Sequence, residues 1–200
     1  SRILMRGIYN FIIKPKGNRY NNIKNIDDKE LILNTEIFNH QYVNREAIVI
    51  STPIIGNTDI KPGDTVILHH NVFRRWHNVK GIEKNSRSYF NESTYLVNHD
   101  QIFLYKKVEK WLTPKGYCFV KPLKAIDKFN VKQEKPLQGI VKYSDGTVNV
   151  DDLVGFTPNS EYEFIIDNQK LYRVLSKFIT IKYEYQGNEE TYNPSWAKSS

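Results

Sequence analysis

The chain has 200 residues, 40% of them hydrophobic and 26% charged, with a formal net charge of +7. That length allows one large or two small domains, the lone Cys118 excludes an internal disulfide, and no apolar run approaches the roughly 18 residues of a membrane-spanning helix. The positive balance permits an acidic partner, nucleic acid included, without choosing one.

Residues 7–15 form an apolar, β-branched run closed by Lys14-Pro15, a strand with a proline stop. Residues 16–44 are long for a connection. They are Asn-rich and carry one hydrophobic cluster, Leu31-Ile32-Leu33, and loops of such length are commonly functional. Residues 45–52 read as a strand, Pro53, Gly56 and Asn57 as a turn, and Ile60-Lys61-Pro62-Gly63-Asp64 as a tight turn. A strand follows at 65–69. Residues 70–92 are basic and aromatic and read as a hairpin, and 94–98 and 101–106 as two short strands. Residues 107–116, with Pro114 and Gly116, read as a linker.

From Tyr117 the pattern starts again. Strands are expected at 138–143, 152–157, 162–166, 171–174 and 178–185, with Asp167-Asn168 as a hairpin turn. Residues 186–200 read as a polar tail. The two halves share their order: Ile12-Ile13-Lys14-Pro15 recurs as Phe119-Val120-Lys121-Pro122, and Glu46-Ala47-Ile48-Val49 as Gln138-Gly139-Ile140-Val141. Residues 63–68 recur as 151–156, Tyr95-Leu96-Val97 as Tyr172-Arg173-Val174, and Ile102-Phe103-Leu104 as Ile179-Thr180-Ile181. Internal repetition of this kind sets the architecture before any chemistry is considered. With no sustained helical period, and punctuation every ten residues or so, an all-β fold of small barrels or sandwiches is expected.

Lys14-Pro15, Ala47-Ile48-Val49, Lys61-Pro62-Gly63-Asp64, Val66-Ile67-Leu68 and Asp100-Gln101-Ile102 together resemble, in kind and order, the GroES-type co-chaperonins. The second half repeats them more loosely, with Asp151 where the turn glycine would stand. The tandem arrangement resembles the double-domain co-chaperonins of chloroplasts, and the Asn- and Lys-rich composition resembles versions carried by tailed bacteriophages. The resemblance implies two tandem GroES-like small β-barrel domains, at 6–108 and 117–186, joined by a linker at 109–116 and followed by a C-terminal extended tail at 187–200. It also implies a homo-oligomer that caps a chaperonin ring through a loop after the first strand. The docking tripeptide would be Leu31-Ile32-Leu33. The chain departs from the family in its short 53–60 segment, its long basic 71–91 segment and its tail.

Several residue groups carry competing expectations. Leu31-Ile32-Leu33 suits an edge strand as well as a docking loop. Arg74, Arg75 and Trp76, with Lys80, Lys84 and Arg87, suit a solvated hairpin or an interface to an acidic protein neighbour better than nucleic acid, since no recognition motif accompanies them. Tyr192 and Trp196 are isolated tail anchors, in a segment that reads either as a frayed end or as a peptide that inserts into a neighbour. These features motivate a second reading, an auxiliary or decoration component of a capsid or tail in a virion. His69 and His70, adjacent in a strand, would point to opposite faces and hold no metal. Cys118 sits in an apolar pattern and reads as a buried thiol. No catalytic motif is present, so no enzyme activity and no cofactor are expected. The first residues do not read as a secretory leader, so a cytoplasmic location is expected.

Overall fold

The structure, a computed structural model, describes residues 5–17, 23–26, 29–32, 45–125, 134–185, 187–195 and 197, with backbone alone for 23–26, 29–32 and Trp76. The chain divides into two compact units, Ser1–Lys110 and Trp111–Ser200. Among the described residues, no helix is long and apolar enough to cross a membrane.

The strands are β1 (Phe11–Pro15), β2 (Ile23–Ile26), β3 (Lys29–Ile32), β4 (Glu46–Ser51), β5 (Thr65–Leu68), β6 (Arg75–His77), β7 (Glu83–Asn85), β8 (Tyr89–Asn91), β9 (Thr94–Val97), β10 (Ile102–Lys107) and β11 (Lys110–Leu112). They continue as β12 (Tyr117–Lys124), β13 (Glu134–Tyr143), β14 (Leu153–Phe156), β15 (Glu161–Ile166), β16 (Gln169–Leu175) and β17 (Ile179–Tyr183). One antiparallel sheet runs β11-β10-β5-β4-β1-β9-β8, and a second runs β15-β16-β12-β13-β14-β17. Pairs β2-β3 and β6-β7 stand apart as two-stranded ribbons.

Read from opposite ends, the two large sheets have the same strand order. Strands β8, β9, β1, β4, β5 and β10 correspond to β15, β16, β12, β13, β14 and β17. The register agrees residue by residue. Ile13, Lys14 and Pro15 face Val49, Ile48 and Ala47, as Val120, Lys121 and Pro122 face Val141, Ile140 and Gly139. The pairing shifts at the same step in each unit, between Ile12 and Ile13 and between Phe119 and Val120. A bulge kept in both copies behaves as a built feature, because it bends the strand at one defined place.

The turn before β5 and β14 is also shared. Gly63 N–H donates to Val49 O at 2.7 Å, and Asp151 N–H to Val141 O at 2.8 Å. Asp64 Oδ2 accepts from Lys61 N–H at 2.8 Å, and Asp152 Oδ2 from Asn149 N–H at 2.9 Å. The turn needs a left-handed residue, with φ of +92° at Gly63 and +72° at Asp151. Glycine adopts that conformation freely, and aspartate is among the residues that tolerate it. A single 3-10 turn precedes the last shared strand in each unit, at His99–Gln101 and Ser176–Phe178.

The cores coincide as well. Val120, Val141, Val154, Phe156 and Val174 form one buried cluster. Their counterparts Ile13, Val49, Val66, Leu68 and Val97 all belong to the larger core of the first unit. Burying side chains of this size contributes about 1.5–3 kcal/mol each before the entropy of ordering is subtracted.

The structure changes several expectations. The fold is all-β with two antiparallel sheets, but no closed barrel is found among the described residues. The expected linker at 109–116 is part strand, since β11 covers Lys110–Leu112, and Val108 and Glu109 form a tight left-handed turn after β10. Strand β13 begins at Glu134, four residues earlier than expected, because Glu134 pairs with Lys124 at the far end of β12. The long 16–44 connection contains a ribbon, β2-β3.

Candidate partner-binding surfaces

The first candidate is the insertion between β1 and β4. Its base is closed where Lys16 N–H donates to Glu46 O at 3.0 Å, reinforced by a Lys16–Glu46 ion pair at 3.4 Å. Within it, Ile23, Lys24, Asn25 and Ile26 pair with Ile32, Leu31, Glu30 and Lys29. Leu31 and Ile32 therefore sit on a strand of a two-stranded ribbon, and Leu33 lies outside the described residues. The same position in the second unit, between β12 and β13, holds residues 125–133, of which 126–133 also lie outside them.

The second candidate is the basic, aromatic excursion after β5. Its root is apolar: Val72 and Phe73 are buried, and Phe73 meets Tyr95 edge-on with centroids 4.7 Å apart. Ser86 Oγ donates to Val72 O and ties the returning chain to that root. Beyond it, Arg75, Trp76 and His77 pair with Asn85, Lys84 and Glu83. Arg75 is 3.4 Å from Glu83, so its charge is paired within the ribbon. Arg74 is half-buried at its base rather than displayed on a surface. The tip is held by Asn78 Oδ1, which accepts from the N–H groups of Lys80 and Ile82.

His69 and His70 stack with ring centroids 4.4 Å apart, contrary to the expectation of opposite faces. The reason is that β5 ends at Leu68, so strand alternation no longer applies. Asn71 N–H donates to His69 Nδ1 at 3.2 Å. Among the described residues, no three His, Cys, Asp or Glu side chains converge as metal ligands.

The third candidate is the tail, and its described part packs on its own unit. Lys124 N–H donates to Glu190 O at 2.8 Å, and Tyr192 N–H to Pro122 O at 2.8 Å, with Thr191 bridged to Leu123. Strand β12 pairs with β16 only between Tyr117 and Val120, so the tail takes the edge beyond it. Asn193 Oδ1 accepts from Lys170 N–H at 3.1 Å, while its Nδ2 donates to Asn168 O at 2.9 Å. Ala197 is fully buried. Tyr192 thus belongs to a docked strap; Trp196 lies outside the described residues.

Two polar clusters hold the second unit together, and neither is prominent in the sequence. Lys170 is buried and binds Glu134 and, at 3.5 Å, Glu163. Tyr172 donates its hydroxyl proton to Glu134 Oε2 at 2.8 Å. Burial pushes the Tyr172 hydroxyl up to about 12, with Glu134 adding to the effect. Burial alone would lower the Lys170 pKa, but Glu134, Tyr172 and Glu163 raise it above the ordinary lysine value. The Lys170–Glu134 contact ties β16 to β13.

At the opposite end of the unit, Asp145 accepts from Gly116 N–H at 2.9 Å, Ser176 Oγ at 2.7 Å and Thr147 N–H at 3.0 Å. Burial would raise its pKa, yet the hydrogen bonds from Thr147, Ser176 and Gly116 hold it down to about 2. Cys118 is fully buried beside this cluster, 3.4 Å from Ser176 Oγ and 3.5 Å from Asp145 Oδ1.

No family model matches this chain, and no curated protein matches it.

Proposed function

We propose that the protein is a non-catalytic, GroES-like co-chaperonin that oligomerises and docks on a chaperonin ring. The docking element is the insertion between β1 and β4, with Leu31, Ile32 and Leu33 as apolar anchors. In this reading each sheet is an opened form of the family's small barrel. The observation that carries the reading is the duplicated strand order with an insertion at the same place in both units. Two supports of the resemblance, the Lys-Pro end of β1 and the Gly-Asp turn before β5, lie on either side of that insertion. A few apolar anchors supply most of the energy at such contacts, and a ring of copies multiplies a weak single contact into avidity.

Affinity capture on a bacterial-type chaperonin with ATP tests the reading. Binding and a change in chaperonin ATP turnover are expected, both lost when Leu31, Ile32 and Leu33 are changed to serine. No capture and no effect on turnover would end it.

A second reading, an auxiliary virion component, draws on the projecting β6-β7 ribbon. The tail supports it less, because the described tail residues pack on their own unit. Finding the protein in purified particles would favour it over the first.

A further inference from the structure

The duplicated architecture provides an internal comparison, because the same end of the same sheet is finished in two different ways. In the second unit the segments before β12 and after β13 meet through polar groups. Asp145 caps Gly116 N–H there, and Ser144, Ser176 and Thr147 complete the network. In the first unit the corresponding segments, before β1 and after β4, meet through backbone pairing. Ile54 N–H donates to Gly7 O, and Ile55 N–H to Ile8 O, both at 3.0 Å. Their side chains are left outside: Ile8 is 57% exposed, Tyr9 70%, Ile54 59%, Ile55 54% and Met5 43%. The second unit has Lys115, Gly116, Gly146 and Thr147 in this region. The fold therefore does not require apolar residues here.

The patch is also tied to its surroundings by hydrogen bonds. Arg6 is turned onto the backbone, donating to the carbonyls of Thr52 and Pro53 at 3.2 and 3.0 Å. Ser51 Oγ donates to Met5 O at 3.1 Å, and Asn10 Nδ2 to Asn98 Oδ1 at 2.7 Å. A surface already held in place forfeits little further freedom on binding.

We propose that this face binds a second copy of the chain. Five large apolar residues, each more than 40% exposed, fall on these two paired segments, and an exposed apolar cluster rimmed by polar residues marks an interaction site. The chain as a whole carries +7, so most pairings of two copies bring like charges together. Residues 5–10 and 50–57 contain one ionised side chain, Arg6, and both of its described contacts are backbone carbonyls. Two copies can meet through this neutral face about a two-fold axis, each presenting the same patch. The inference does not depend on the chaperonin reading.

Sedimentation of the full chain over a concentration series is the test. Wild type is expected to form a dimer, or an even multiple, of the 23.5 kDa chain. Ile54→Asp combined with Ile55→Asp is expected to weaken that association at least about 30-fold, with an unchanged circular dichroism spectrum. A wild-type monomer at every concentration, or association equal in the double variant, overturns the proposal. A milder variant guards against misfolding. Ile55→Cys, in a chain whose other cysteine is buried, is expected to cross-link two copies through a short bis-maleimide. The control is Val79→Cys at the fully exposed tip of the β6-β7 ribbon. Cross-linking of the control but not of Ile55→Cys overturns the proposal as well.

Discussion

Gly139 shows how tightly the repeated strands approach. A Cβ added there would stand 2.8 Å from Val120 Cβ and Cγ2 and 2.9 Å from Lys121 O. Because two of those neighbours belong to the core and one is backbone, Gly139→Ala is expected to cost about 1–3 kcal/mol, read as a lower melting temperature. Gly155 has more room, with Tyr183 at 3.3 Å, so Gly155→Ala is expected to cost less. Asp145 gives a pH prediction. Its folded pKa of about 2 lies below the ordinary aspartate value of 3.8, so its contribution is present above about pH 4 and is lost as the pH falls through about 2. The linked stability is roughly 2 kcal/mol. Urea midpoints at pH 6 and pH 2.5 should differ less in Asp145→Asn than in wild type, and an unchanged difference would refute the role given to this carboxylate. The repeated turn was easy to recognise once, through Pro62-Gly63-Asp64. Its second copy lacks that signal, because Asp151 takes the left-handed position that glycine marks in the first.

Among the elements, the tail yields the clearest expectation. Removing residues 187–200 takes away the bonds from Lys124 N–H to Glu190 O, Tyr192 N–H to Pro122 O and Lys170 N–H to Asn193 Oδ1. At about 0.5–1.5 kcal/mol per bond, the truncated chain should lose roughly 2–4 kcal/mol, measured by denaturant unfolding. Lys124→Ala should change stability by less than ~1 kcal/mol, since the Lys124–Glu190 pair is exposed. The tail was unreadable as an element because it docks through backbone groups and leaves no side-chain period. Strands β6, β7 and β8 are three residues each, too short to show alternation. Ile54-Ile55 looked like part of a turn. Their exposure follows from pairing with residues more than forty positions away, which no local pattern reports. The matched stretches of β1, β4, β12 and the second half of β13, by contrast, were legible, since their buried positions repeat in both halves with one register.

For the whole molecule, duplication is the organising fact. One strand order, one bulge, one turn and five matched core positions occur twice. Among the described residues the units differ in the ribbon β2-β3 of the first insertion, the ribbon β6-β7 after β5, the apolar end of the first unit, and the strap on the second. Differences superimposed on a shared frame are where function is to be sought, because the fold alone does not fix it. Under the proposed function, the insertion docks on a chaperonin ring. Hydrogen exchange of the full chain, with and without a chaperonin and ATP, tests that assignment most directly. Slowed exchange concentrated in residues 23–32, with β12 to β17 unchanged, is the predicted result; unaltered exchange in 23–32, or protection confined to residues 187–197, would contradict it.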